Sequence, residues 1–100
     1  MTRQDYNKII LDNLQENKFF ESFVNDDIAR DMYDIIEEKM YDCPQLRFGQ
    51  IMCNQIYPSY RERDDMGLNH IFDMMFYGST CSDPFYEESE ETYKRLVRKY

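Results

Sequence analysis

Residues 25–42 read NDDIARDMYDIIEEKMYD, and this stretch decides the fold class. Its apolar side chains recur at the spacings of three and four that place residues on one face of an α-helix, namely Ile28, Met32, Ile35, Ile36 and Met40. Asn25 is a favourable N-cap residue, and Asp26 and Asp27 suit the positive end of the helix dipole. Because the residue before a proline disfavours helical geometry, the helix is predicted to end before Pro44.

Patterns on both sides of this stretch predict further helices. Thr2 and Asp5 have the spacing of a capping box. In the helix that follows them, apolar side chains recur at every fourth residue, namely Tyr6, Ile10 and Leu14. Residues 45–57 also have apolar side chains at helical spacing and predict a third helix. A close packing contact is the expected reason for Gly49 inside it, because glycine weakens a helix.

The second half of the chain predicts one loop and two more elements. Residues 58–67 (PSYRERDDMG) are polar and begin and end with a helix breaker, which is typical of a loop. Residues 68–77 fit a helix, with a buried strand as the alternative. A last helix is predicted to begin at Pro84 or Ser89, with its acids first and its bases last, as the dipole favours. Glu90 and Lys94, and Glu91 and Arg95, are four residues apart in it, a spacing that predicts two ion pairs. The sequence therefore predicts an all-α fold, a single compact bundle of four to five short helices formed by residues 1–100.

The chain is strongly acidic, which bears on its partners. It has 20 Asp and Glu against 12 Lys and Arg, a net charge of −8. Four of the bases lie in the last seven positions, so residues 1–93 have 20 acids against 8 bases, a charge of −12. A small domain with this charge is expected to repel nucleic acid and anionic membranes. It is expected to be attracted to basic surfaces of other proteins.

The best-ordered carboxylates form a row on the second predicted helix. Spacings of 4, 3 and 4 place them on one helix face, and they are Asp27, Asp31, Asp34 and Glu38. At about 1.5 Å per residue the row spans roughly 16 Å, or one charge per about 5.5 Å. A single DNA strand has one charge per about 3.4 Å, so the row alone is an incomplete imitation of a nucleic-acid backbone. We predict a partner-binding surface here, with an ordinary solvated helix face as the alternative.

The predicted loop supplies the remaining candidate residues. Tyr57 and Tyr60 lie beside two arginines, and tyrosine and arginine are enriched at binding hot spots. The pair Asp64 and Asp65 follows and would extend the negative surface. We predict that these four residues also contact the partner. The alternative for the two tyrosines is that they are ordinary half-buried loop residues without a binding role.

The chain shows no pattern typical of a catalytic, cofactor or metal site. His70 is the one histidine, and no set of potential zinc ligands surrounds it in the sequence. The three glycines are scattered, so they form no phosphate-binding loop. The cysteines Cys43, Cys53 and Cys81 are odd in number and have no CxxC spacing, and together with the lack of a signal-peptide pattern this favours reduced thiols. We expect no enzymatic activity, no cofactor and no metal. The absence of a signal-peptide pattern and of a long apolar run favours a cytoplasmic protein without a membrane partner.

Two segments carry a resemblance to a known group of proteins. Residues 44–51 read PQLRFGQI and residues 83–91 read DPFYEESEE. They resemble the motifs P-x-L-R-[FL]-G-Q-[LI] and D-P-F-Y-x-E-[DS]-[DE]-E of a group of small, uncharacterised bacterial and phage proteins. The resemblance covers residues 26–100 as a motif-bearing core, with residues 1–24 as an N-terminal helical extension. It implies a small helical fold and an origin in a mobile element, and it implies no mechanism.

Arg47 in the first of these segments has two interpretations. We expect it to pair with a carboxylate in residues 83–88 while Phe48 and Phe85 pack inside. The alternative is that Arg47 and Gln50, which share one helix face, are presented to a partner.

Together these features favour a small acidic protein–protein interaction module. The expected partner is a protein with a basic surface, and direct binding of nucleic acid is not expected. The most specific expectation is a phage or mobile-element inhibitor that blocks the nucleic-acid-binding groove of a host protein such as a nuclease, as anti-CRISPR proteins that imitate DNA do. The alternative is a regulatory or structural module of the cell's own, in which exposed aromatic side chains form a homodimer.

Overall fold

The computed structural model describes residues 1–62, 65–79 and 83–97. In these ranges the chain forms five helices and no strand, which confirms the all-α prediction. The helices are α1 (Arg3–Glu16), α2 (Asp26–Asp42), α3 (the consecutive segments Phe48–Ile51, Met52–Ile56 and Tyr57–Tyr60), α4 (Asp65–Phe76) and α5 (Ser89–Leu96), with single 3-10 turns at Phe20–Ser22 and Pro84–Tyr86. The segment for which a strand was the alternative is therefore helical.

The predicted starts of α1 and α2 are confirmed. At α1 the backbone N–H of Asp5 donates to Thr2 Oγ1 (3.2 Å), and the backbone N–H of Thr2 donates to Asp5 Oδ2 (2.9 Å). At α2 the Asn25 side chain accepts from the Ile28 N–H (2.9 Å). Each cap supplies a partner for a backbone donor that the helix itself leaves unpaired. The end of α2 at Asp42 also agrees with the predicted stop before Pro44.

The end of α1 is a Schellman motif with a lysine at its left-handed position. The Phe19 N–H donates to the Leu14 carbonyl (2.9 Å), and the Lys18 N–H donates to the Gln15 carbonyl (3.2 Å). Lys18 has φ +51°. Glycine is the usual residue there, because a side chain costs roughly 1–2 kcal/mol in this conformation.

We therefore predict that Lys18→Gly raises the free energy of unfolding by roughly 0.5–1 kcal/mol, measured by urea denaturation. The gain is smaller than the relieved strain because glycine also loses more backbone entropy on folding. Glu16→Gly, two residues earlier at the exposed last position of α1, is the matched control and should lower stability by up to about 1 kcal/mol. A loss of stability in both variants would contradict the prediction.

α3 contains a wide turn that the sequence did not predict. The Tyr57 N–H donates to the carbonyl of Met52, five residues back, so Met52–Ile56 forms a π-segment. In a regular α-helix the ring of Pro58 would clash with the carbonyl four residues earlier, and the wider turn accommodates it. The prediction of a loop from residue 58 is therefore wrong for the last turn of α3, which extends to Tyr60. The helix also begins at Phe48 rather than at residue 45.

The N-terminal segment belongs to the core. Ile10, Leu11 and Phe20 are fully buried, and α1 packs against both α2 and α5. The Phe20 and Tyr33 rings stack with their centroids 4.8 Å apart, which ties the turn after α1 to α2. Residues 1–24 thus contribute to the same hydrophobic core as the rest of the described chain.

Candidate protein-binding surface

The outer face of α2 displays the predicted acidic row. Successive residues of an α-helix are rotated by about 100°, which places the row opposite the buried side of α2. That buried side consists of Ala29, Met32, Tyr33, Ile36 and Met40. All four row residues are exposed, namely Asp27, Asp31, Asp34 and Glu38. The row therefore lies along the middle of the solvent face and not at the edge of the core.

Among the described residues, no ion pair neutralises the charge of this row. Across residues 1–62, 65–79 and 83–97, none of the four carboxylates forms an ion pair, and the salt bridges present join other residues. Asp26–Asp42 contains seven acids and two bases, a net charge of −5 on one helix. Four unpaired carboxylates on one face make α2 a concentrated source of negative potential.

Tyr41 is a residue of this face that the sequence analysis missed. It is 56% exposed and lies three residues after Glu38, at the edge of the acidic row. Helical spacing alone would have placed it there, because residues three apart are neighbours on a helix surface. An exposed tyrosine beside carboxylates adds contact area to a face that is otherwise only charged.

The other predicted site residues do not join the α2 face. Tyr57 is 41% exposed and makes an edge-to-face contact with Phe72, with ring centroids 5.6 Å apart. Its groove is lined by Arg61, Glu62, Leu68 and Asn69 and by none of the α2 acids. Tyr60 is only 3% exposed, so its prediction as an exposed loop residue is wrong: it lies in the last turn of α3 and packs into the core. Asp64 and the side chain of Asp65 lie outside the described residues.

Arg47 is used within the fold. Its Nε donates to the Phe85 carbonyl (3.1 Å), and its guanidinium lies 5.7 Å from the centre of the Phe85 ring. The expected contact with residues 83–88 exists, but its partners are a carbonyl and a ring rather than a carboxylate. The Gln50 side chain accepts from the Arg47 backbone N–H (2.7 Å) and caps the start of α3. Both side chains therefore have structural partners.

Glu87 is a buried carboxylate and not part of the acidic surface. It is 1% exposed and accepts hydrogen bonds from Ser79 Oγ (2.7 Å), Thr92 Oγ1 (2.5 Å) and Arg95 Nε (3.1 Å). Burial alone would raise its pKa, but the hydrogen bonds from Arg95, Thr92 and Ser79 outweigh burial and the pKa is lowered. The predicted Glu91–Arg95 pair is wrong, since Arg95 binds Glu87 instead.

The predicted ion pair between Glu90 and Lys94 is present, with 3.7 Å between the carboxylate and the ammonium. Lys94 also lies 3.6 Å from Glu91. Both contacts are on the surface of α5, where such pairs contribute little to stability. They give the Lys94 ammonium in the last turn of the helix two carboxylate partners.

No family model, curated protein or solved structure matches the chain. In the described part of the chain, no group of three or more His, Cys, Asp or Glu is placed to hold a metal ion. Within the same residues, no helix has both the length and the apolar character needed to cross a membrane.

Proposed function

We propose that this protein is an acidic protein–protein interaction module that binds a basic surface of its partner through the outer face of α2. In the most specific form of the proposal, it is a phage or mobile-element inhibitor that occupies the nucleic-acid-binding groove of a host protein. The observation that supports it is the row of four exposed carboxylates, with which no described residue forms an ion pair. The two motifs in residues 44–51 and 83–91 support the mobile-element origin only as a resemblance.

The electrostatics of α2 suit this role. Charges about 5.5 Å apart along the row lie within the Debye length of about 8 Å at physiological salt, so their potentials add. A basic surface approaching α2 is therefore attracted by several carboxylates at once, which raises the association rate more than the residence time. The row has fewer charges per unit length than a DNA strand. The exposed ring of Tyr41 adds apolar contact area, which the phosphates of a DNA strand lack.

The experiment is a binding assay of the purified protein against a panel of purified basic host nucleases and other nucleic-acid-binding proteins. We expect one panel member to bind, to lose affinity as salt rises from about 50 to about 300 mM, and to be displaced by its own nucleic acid. Neutralising the row by Asp27→Asn, Asp31→Asn, Asp34→Asn and Glu38→Gln together should weaken binding by about 30-fold at low salt, mainly through the association rate.

A matched variant separates a specific surface from net charge. Glu16→Gln, Glu62→Gln, Asp73→Asn and Glu90→Gln also remove four exposed carboxylates, and none of them lies on α2. This variant should keep most of the affinity. An equal loss in both variants would show that net charge alone drives binding. Affinity that does not fall with salt, or no binding to any panel member at low salt, would contradict the proposal.

A further inference from the structure

A polar depression lies where the turn after α1 meets the first half of α2. Side chains of α1, of that turn and of α2 line it, namely Gln15, Lys18, Glu21, Asp26, Arg30 and Tyr33. Its volume of about 320 Å³ is at the small end of the range of about 300–1,000 Å³ that is typical of small-molecule sites. Because charged and amide side chains dominate the lining, the depression suits a small and strongly polar ligand.

Two bases of the depression, Lys18 and Arg30, form no ion pair with a described residue. Four other bases in the described ranges each contact a carboxylate, so the acids of this chain do neutralise cations elsewhere. Both side chains are exposed. A ligand carboxylate can therefore reach both cations without breaking an ion pair of the protein.

The two acids of the depression are held apart from these bases. Glu21 accepts a hydrogen bond from the Tyr33 hydroxyl (2.6 Å), and Tyr33 is only 5% exposed, so the orientation of this carboxylate is fixed. Burial and the contact with Glu21 raise the pKa of Tyr33, which keeps the phenol protonated as a donor. Asp26 lies in the first turn of α2, where the helix dipole favours a negative charge. The depression therefore has charges of both signs that do not cancel in direct contact.

Backbone strain at Lys18 is a further observation in favour of a binding role. Among the described residues, only Lys18 combines a side chain with a left-handed backbone, at φ +51°. Glycine would adopt this conformation with less strain. Residues held in strained conformations concentrate at functional sites. Here the strained residue adds an ammonium group to the lining of the depression.

We propose that this depression binds a free α-amino acid. Its carboxylate pairs with Lys18 and Arg30, and its ammonium group pairs with Glu21 and Asp26. The site goes beyond the function proposed for the outer face of α2 and does not depend on it, because the ligand is a small molecule and not a protein surface.

The balance of charges favours a zwitterion over other small ions. A phosphate is attracted by the two bases but repelled by the two carboxylates, and an amine without a carboxylate meets the reverse balance. A quaternary ammonium has no N–H to donate and is typically bound by a cage of aromatic rings. Tyr33 is the only aromatic side chain among the described residues of the lining. An α-amino acid satisfies both pairs of side chains at once.

An NMR titration of the full chain with each natural amino acid tests the proposal. We expect at least one amino acid to bind with a dissociation constant on the order of 1 mM, because exposed ion pairs are individually weak. The amide signals that shift most should include those of Lys18, Glu21 and Arg30. The N-acetyl derivative of this amino acid lacks the ammonium group and its carboxamide lacks the carboxylate, so each should bind at least about tenfold more weakly. No binding of any amino acid at about 20 mM, or equal affinity of the blocked derivatives, would overturn the proposal.

Variants separate the site from the stability of the fold. Lys18→Gly relieves the backbone strain and keeps the fold, yet it should weaken amino-acid binding at least about fivefold. Glu21→Gln should weaken it by a similar factor, since the amide oxygen still accepts from Tyr33 but has no charge for the ammonium group. Arg61→Gln is the matched control, because Arg61 is exposed and lines a different groove. Unchanged affinity in Lys18→Gly, or an equal loss in Arg61→Gln, would overturn the proposal.

Discussion

Gly49→Ala is expected to lower the free energy of unfolding by about 3 kcal/mol or more, because α3 leaves no room for a methyl group at this position. A Cβ at Gly49 would lie 1.9 Å from the carbonyl oxygen of Pro84 and 2.9 Å from its carbonyl carbon, distances that real Cβ atoms essentially never show. The opposing atoms belong to the backbone, which cannot rotate away as a flexible side chain would. The 3-10 turn that precedes α5 would have to move away from α3.

The direction of the change makes this prediction easy to test by urea denaturation. At an open position inside a helix, replacing glycine by alanine would stabilise the protein by about 1 kcal/mol. Ser59→Ala, at an exposed position of the same helix, is the control and should change stability by no more than about 0.5 kcal/mol. A stabilised Gly49→Ala variant would mean that α3 and Pro84 are not in contact.

The contact at Gly49 also explains why the two motif segments occur in one chain. Arg47 reaches the Phe85 carbonyl, Gly49 allows the backbone of Pro84 to approach, and the Phe48 N–H donates to Ser89 Oγ (3.1 Å). Every one of these contacts joins residues 44–51 to residues 83–91. The motifs therefore form one packing unit that holds the start of α5 against the start of α3. The contacts of Arg47, Phe48 and Gly49 therefore serve the fold.

Local rules explain what the sequence predicted correctly in the fold. Helix periodicity fixed the buried and exposed faces of α2, and the caps at Thr2 and Asn25 act over three residues. The same periodicity placed Asp27–Glu38 on a single exposed face, which is why the acidic row could be predicted residue by residue. The close approach at Gly49 was inferred because glycine inside a helix requires a reason.

Tertiary contacts explain what the sequence did not predict. Pro58 indicated a loop, but the π-segment before it lets α3 continue and turns Tyr60 into the core. Helical spacing paired Arg95 with Glu91, whereas the buried Glu87 competes for the same guanidinium from outside the helix. Spacing rules describe neighbours on one helix. They contain no information on Glu87, which follows the 3-10 turn before α5 and reaches Arg95 through the tertiary fold.

Glu87→Gln is expected to lower the free energy of unfolding by about 3 kcal/mol at neutral pH, because it leaves Arg95 largely buried without a counter-ion. The Glu87 carboxylate is 1% exposed and the Arg95 side chain 20% exposed. Arg95 also donates to the Met75 carbonyl at the end of α4, and its guanidinium lies 5.6 Å from the centre of the Phe76 ring. Arg95 thus links α5 to the end of α4, and neutralising Glu87 removes the carboxylate that holds this arginine in place.

The contribution of the Glu87–Arg95 pair to the free energy of unfolding decreases as the pH falls. Because the pKa of Glu87 is lower in the folded chain than the ordinary value of 4.5, the carboxylate stabilises the fold above that value. The contribution is lost as the pH falls below 4.5 and through the folded-state pKa. The difference in unfolding free energy between the natural protein and Glu87→Gln should therefore be largest near neutral pH and shrink in acid. Urea denaturation of both proteins over this pH range measures it.

Glu88→Gln provides the matched control, because the adjacent carboxylate also binds an arginine but does so on the surface. Glu88 and Arg3 form a bidentate pair at 2.8–2.9 Å, with side chains 50% and 41% exposed. Water competes for both groups, so the loss should be within about 1 kcal/mol. Equal losses in Glu87→Gln and Glu88→Gln would mean that burial does not set the strength of the Glu87–Arg95 pair. A loss of unfolding free energy several times larger for Glu87→Gln than for Glu88→Gln would show that Glu87 holds the last helix in place. It would also show that the surface pair adds little.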